Sequence, residues 1–220
     1  MPPPKAPVIE NVGLETFLPI VISSVAVVFG SVGAIGCRMI AIPPADPTDT
    51  VTVPIEAGVF AYRDGSYTNT PDTVLLWDAC QPYKDIGGGD FEWEKDGLMG
   101  AMQGLAIVIC AVGCLTVLGM WSSPCFPIHE MAWKAYGAIF FVLGALQIVT
   151  TQVNSTIVCT DNPQLQYLEK NDPTEFAKFV EGECVWDRGI RFCITASCLW
   201  FIAGIVTLRT AAPRKKPMNQ

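Results

Sequence analysis

Residues 97–121 read GLMGAMQGLAIVICAVGCLTVLGMW, without a charge or a proline anywhere in the run. An apolar stretch beyond roughly 18 residues is long enough to cross a bilayer as a helix. A helix of a soluble bundle would carry polar residues along one stripe at a 3.6-residue period, and none is present. Three further stretches read the same way. Residues 17–42 hold no charge before Arg38, residues 131–153 are interrupted only by Lys134, and residues 190–209 carry Arg191 at their entry. Composition agrees, with 50% hydrophobic and 16% charged residues and a mean hydropathy of +0.36. Soluble domains average about 25% charged residues.

Four spans divide the chain into one structural domain. A segment at 1–16 leads to the first span at 17–42, and an outer loop at 43–96 leads to the second at 97–121. A short loop at 122–130 precedes the third span at 131–153. A second outer loop at 154–189 then leads to the fourth span at 190–209 and a tail at 210–220. The leader is proline-rich and acidic, with no basic n-region, so the first span is read as an uncleaved signal-anchor. Four crossings put both termini and the 122–130 loop on one side. That side holds six basic residues against three acidic, and the other holds eight against eighteen. The basic cluster at 209–216 favours cytoplasmic termini by the positive-inside rule, while Arg38, Arg188 and Arg191 push the other way. The outer cysteines and the sequon decide for cytoplasmic termini, in a plasma membrane or endomembrane protein.

Within lipid, helices approach through small residues, because apolar burial gives no drive between them. Small residues recur every seventh position: Ser23, Gly30, Cys37; Gly97, Gly104, Ala111; Gly137, Gly144; and Gly189, Ala196, Ala203. This period predicts a left-handed four-helix bundle with Gly30, Gly104, Gly144 and Ala203 at the helix contacts. No Asp, Glu, His or Lys stands in the middle of a span, and such groups mark proton and ion paths.

The first outer loop is β-prone. Residues 50–53 alternate, Val59, Phe60, Ala61 and Tyr62 favour a strand, and Asp64-Gly65 supplies a hairpin turn before a third candidate strand at 73–77. In the second outer loop, Asn162-Pro163 and Asp172-Pro173 signal helix starts, with Asp172 as N-cap of a short helix over 173–180. Outer cysteines meet an oxidising compartment, so disulfides are expected there. Cys159–Cys184 is the preferred pair, closing the second loop. A Cys80 link between the loops is the alternative, and Cys37 or Cys193 is needed if Cys80 is to pair as well. Asn154-Ser155-Thr156 is the one N-glycosylation sequon, with Asn154 as acceptor.

The run Leu75-Leu76-Trp77-Asp78-Ala79-Cys80 resembles the Gly-Leu-Trp-x-x-Cys motif of claudins and the peripheral myelin protein group, through Leu76, Trp77 and Cys80. Amastin-like four-span surface proteins carry related tryptophan–cysteine motifs. The resemblance implies a claudin-like fold: an all-α membrane bundle bearing a small extracytoplasmic β-sheet, with Trp77 packing the sheet onto the helices. Leu75 stands where claudins have glycine, and no second cysteine follows Cys80 before the second span. The claudin loop-one disulfide and tight-junction function are therefore not carried over.

Catalytic chemistry finds no footing in the sequence. His129 is the single histidine and has no ligand-spaced partners, so neither a metal site nor a catalytic base is expected. Nucleotide and nucleophile-elbow motifs are absent. No cofactor is expected, and the net charge of −7 disfavours nucleic acid. The expected partners are membrane lipid and either another protein or a second copy. The leading expectation is a structural or interaction protein acting in adhesion or assembly through its outer loops, whose aromatics (Phe60, Tyr62, Tyr67, Tyr83, Phe91, Trp93) would supply contacts. An auxiliary subunit of a larger membrane complex, such as a channel, is the first alternative. An oligomeric pore or carrier for cations, drawn by acidic loops, is the second.

Overall fold

The computed structural model describes residues 9–10, 14–46, 48, 54–63, 80–89, 96–123, 126, 128–180 and 182–215. Four of its helices are long and apolar enough to cross a membrane: α1 (Leu14–Ile35), α2 (Gly97–Trp121), α3 (Glu130–Val149) and α7 (Arg188–Arg209). Three short helices lie between α3 and α7: α4 (Ile157–Thr160), α5 (Pro163–Asn171) and α6 (Pro173–Ala177).

The first span corrects the sequence reading at its end. The helix stops at Ile35, and Ile40–Ile42 form a strand where the apolar run 17–42 suggested continued helix. Gly36 ends the helix, and the β-branched Ile40 and Ile42 are buried in a sheet. An apolar run signals burial, and here the burial changes from helix to sheet within one run. With a rise of about 1.5 Å per residue, the 22-residue helix, which begins at Leu14, still covers a hydrocarbon core.

Five strands form an antiparallel sheet in the order β5–β4–β3–β2–β6, from β2 (Ile40–Ile42), β3 (Ile55–Ala57), β4 (Ala61–Arg63), β5 (Cys80–Pro82) and β6 (Val185–Trp186). Ile40 pairs with both Ala57 and Trp186, so the second outer loop completes a sheet begun by the first. The connection is direct: β2 follows α1, and β6 precedes α7. The antiparallel helix pair continues upward as an antiparallel strand pair. The strands that were expected at 50–53 and 73–77, and the Asp64-Gly65 turn, lie outside the described residues. A described hairpin turns through Gly58, Val59 and Phe60, joining β3 to β4, so Val59 and Phe60 stand in a turn and not in the strand expected over 59–62. At the opposite end of the bundle, β1 (Ile9–Glu10) pairs with β7 (Arg214–Lys215), bringing the two terminal segments together.

Helix α7 is the centre of the bundle, packed closely on α1 and α3, with α2 set against α1 and α3. Small residues make the close approaches. A Cβ at Gly33 would stand 2.7 Å from the Gly189 carbonyl oxygen, and one at Gly204 would stand 3.1 Å from that of Gly137. Gly144 lies under the Phe201 ring, and the Ser197 hydroxyl donates to the Gly144 carbonyl at 2.8 Å. Ser23, Gly30 and Cys37, then Gly137 and Gly144, then Gly189, Ala196 and Ala203 all face inward. The α2 series does not. Gly97, Gly104 and Ala111 are exposed, and a Cβ at Gly104 would meet nothing within 4 Å. The inward side of α2 is instead bulky (Met99, Met102, Ile109, Met120), with Gly113 beneath Trp200. Gly104 is therefore not a contact within this chain.

These positions give a paired expectation. Gly33→Ala forces backbone apart between α1 and α7 and should cost about 1–3 kcal/mol, as other overpacked sites do. Gly104→Ala meets open space and should leave the melting temperature of the purified protein unchanged or slightly raised, since alanine favours helix. Thermal melts of both variants in one detergent make the comparison.

Lys134, which interrupts the third apolar run, has a structural use. Its ammonium donates to the carbonyls of Leu208 and Thr210, acceptors that the end of α7 leaves without helical partners.

Candidate functional site

The sheet and the second outer loop form a cap over the end of the bundle where α1 and α3 finish and α2 and α7 begin. Its underside and the helix ends share one core, including Met39, Ile40, Ala57, Tyr62, Tyr83, Met99 and Ile190. Polar links stitch the two outer loops and the helices to each other. The Asp96 carboxylate caps α2 by accepting from Met99 N at 2.5 Å, and its other oxygen accepts from Ile157 N at 2.9 Å. Gln103, one turn and a half into α2, donates to the Val59 carbonyl at 2.6 Å.

An ionic cluster stands at the junction of cap and bundle. Arg38 leaves α1 and donates through Nη2 to Glu56 Oε1 at 2.6 Å and through Nε to Asp187 Oδ2 at 3.2 Å. Arg63 donates to the other Glu56 oxygen at 2.9 Å. Glu56, on the central strand β3, is 4% exposed, so its charge is held by two guanidiniums in place of water. Two positive and two negative groups make the cluster neutral, the condition under which charges are tolerated away from solvent. Backbone bonds run beside it, from Gly189 N to the Arg38 carbonyl at 2.7 Å and from Asp187 N to that of Met39 at 2.9 Å. One pairing thus joins the end of α1, the middle of the sheet and the start of α7.

From sequence, Arg38 reads only as a charge at a helix end. The available signal was positional: a basic residue directly after one span and an acidic residue directly before another, at the same membrane face.

Two cysteine pairs lie at disulfide distance. Cys159–Cys184 closes the second loop with Cα atoms 5.8 Å apart, the pair preferred from sequence. Cys37–Cys80, with Cα atoms 5.5 Å apart, ties the end of α1 to the edge strand β5. Cys80 therefore pairs within its own half of the cap and does not link the two loops. Of the tryptophan motif only Cys80 falls within the description; Leu76 and Trp77 lie outside the described residues. Asn154 sits in the 3-10 turn Thr150–Ser155 that follows α3.

The cap aromatics divide differently from expectation. Tyr62 and Tyr83 are buried with ring centroids 5.8 Å apart, forming the cap's own core instead of a contact surface. Tyr67, Phe91 and Trp93 lie outside the described residues. Among the described residues, the large apolar side chains exposed in the second loop are Val180, Val185 and Trp186.

The Tyr83 hydroxyl donates to the Gly58 carbonyl at 2.7 Å, holding the β3–β4 turn. Burial pushes the phenol far above its ordinary value of 10.0. The neutral form is therefore favoured by the fold. Its stabilisation is complete below pH 10 and falls as pH rises beyond it, because the unfolded chain then ionises more readily. Tyr83→Phe should cost about 1 kcal/mol, leaving the Gly58 carbonyl without its donor, and should remove this part of the alkaline sensitivity in melts between pH 8 and 11.

In the second loop, Asn162 and Asp172 cap α5 and α6 as their prolines foretell. Asn162 Oδ1 accepts from Gln164 N at 2.8 Å, and Asp172 Oδ1 accepts from Glu175 N at 3.2 Å. Hydrogen bonds from the Thr174 hydroxyl and then the Glu175 amide hold the Asp172 carboxyl below its usual value. Among the described residues no three His, Cys, Asp or Glu side chains converge as metal ligands.

This geometry defines a class, a membrane protein of four apolar helices capped on one side by a small disulfide-bearing antiparallel sheet. No protein-family model matches the chain, and no curated protein matches it.

Proposed function

We propose that this chain is a claudin-like tetraspan scaffold whose outer cap makes protein contacts in adhesion or assembly. The observation that carries the reading is the construction of the cap. Strands from both outer loops share one sheet, and a disulfide, a buried ionic cluster and the Gln103 bond to the β3–β4 turn bind that sheet to the bundle. Rigid presentation of a surface lowers the entropy lost on binding, and the helices beneath hold no mid-span ionisable group for transport. Among the described residues, Val180, Val185 and Trp186 offer exposed apolar side chains to such a contact. The inward seven-residue series on α1, α3 and α7 supports left-handed winding. Cytoplasmic termini rest on the basic cluster at 209–216 and, against the competing Arg38, Arg188 and Arg191, on the cysteine pairs and the Asn154 sequon at the other end of the bundle.

A specific observation favours a second reading, the auxiliary subunit. Among the described residues nothing lies against the α2 face bearing Gly97, Gly100 and Gly104, and small-residue faces suit docking to another membrane helix. Native isolation in mild detergent separates the readings. Self-assembly that depends on Trp186 supports the scaffold. One partner at fixed stoichiometry, lost in Gly104→Leu, supports the subunit. Cation flux through liposomes containing the purified protein would overturn both in favour of a pore.

The claudin resemblance has its own test at Trp77. Trp77→Ala should abolish most surface delivery if that indole seats the sheet on the helices, measured by surface biotinylation. Wild-type delivery of the variant would remove the resemblance from the argument.

A further inference from the structure

The geometry points to a bound water molecule in the middle of the bundle, held between the side chains of Gln147 on α3 and Trp200 on α7. Both residues are almost fully buried, at 0% and 1% exposure, in the membrane-spanning part of the protein. Both line one cavity, enclosed also by Ala26, Gly30, Ser31 and Cys110, with room on the order of a single water. Each brings an unpartnered polar atom, Gln147 Oε1 and Trp200 Nε1. One is an acceptor and the other a donor, so a single water satisfies both by donating to the amide oxygen and accepting from the indole.

The orientation of the amide is fixed by its neighbours. The Thr150 hydroxyl donates to the Gln147 carbonyl at 2.7 Å, so toward the side chain it can only accept. The amide nitrogen therefore faces Thr150, at 3.3 Å, and the oxygen faces α1. There a Cβ at Gly30 would stand 2.8 Å from Oε1. Glycine at position 30 is thus the residue that lets the amide oxygen reach the cavity. The Ser31 and Cys110 pair, 3.3 Å apart across α1 and α2, supplies the third polar partner that buried waters commonly have. Apolar cavities stay dry, whereas a cavity lined by two orphaned polar atoms of opposite kind does not. The water would join three helices at a level where lipid offers no hydrogen bonds.

Solid-state NMR of the protein in lipid nanodiscs reads the site directly. The Trp200 indole proton, assigned through its own side-chain correlations, should receive magnetisation from a water signal distinct from bulk. No transfer to that proton would overturn the proposal. A double-mutant cycle gives a second readout. Gln147→Met and Trp200→Phe should each lower the melting temperature, and the double variant should fall no further than the worse single one, because both act through one water. Fully additive losses would overturn the shared site. The wild-type measurement stands whether or not the variants fold.

Discussion

Replacing Cys37 with serine is expected to lower stability by about 4 kcal/mol, the chain-entropy value for a closed loop of 43 residues. Neither this loop nor the one closed by Cys159 and Cys184 contains a spanning helix. The released freedom is therefore that of water-exposed chain, where the entropy argument applies directly. The bond also anchors β5, the edge strand that pairs Cys80 with Arg63, so its loss frees the strand beside the ionic cluster. Cys80→Ser should match Cys37→Ser, and the double variant should be no worse than either. Opening Cys159–Cys184, with a sequence separation of 25, should cost about 3.5 kcal/mol by the same relation and act independently. Thermal melts give the magnitudes. Alkylation after denaturation without reductant should spare these four cysteines, and their modification would dismiss both bonds.

The spans were legible because lipid imposes a constraint that a sequence displays openly: length without charge. What lay next to them was less legible, because apolar character reports burial and says little about the partner. Ile40 and Ile42 read as the end of a helix and are the buried centre of a sheet. Gly104 read as a contact because it keeps the seven-residue period, but it faces away from the bundle, where Met99, Met102 and Ile109 point inward. Periodicity gives the stripe on a helix and leaves open which stripe turns inward, or whether a stripe waits for another chain. Helix caps at Asn162 and Asp172 were readable because capping is local. The Arg38–Glu56–Arg63–Asp187 cluster was not, since it joins residues 18, 7 and 149 positions apart that only the folded cap brings together. Likewise Gln147 read as one of several polar residues suited to interhelical bonds, and only packing reveals that its oxygen has no protein partner.

Glu56→Ala is expected to damage the cap about as much as opening Cys37–Cys80, at about 3–5 kcal/mol, the range for removing one partner of a buried ion pair. Two guanidiniums lose their shared carboxylate at once, and Arg63 has no other carboxylate in the described cluster. Glu56→Gln keeps the shape and one acceptor and should cost less. Replacing Arg38 and Glu56 together by methionine should cost less than Glu56→Ala, because the charges then left without partners, Arg63 and Asp187, are 20% and 18% exposed and can rehydrate. Equal losses for the single and double variants would mean that packing, and not charge pairing, sets the value. The damage should also travel. Because β2 continues α1 and β6 leads into α7, loosening β3 should expose the Gly189 N–H that bonds to the Arg38 carbonyl. Hydrogen exchange in Glu56→Ala should therefore rise at Gly189 as well as in β2 and β3, while the buried lower bundle around Phe140 and Trp200 keeps its protection. Unchanged exchange at Gly189 would show that the cap opens without its helices, and that the cluster does not couple the two.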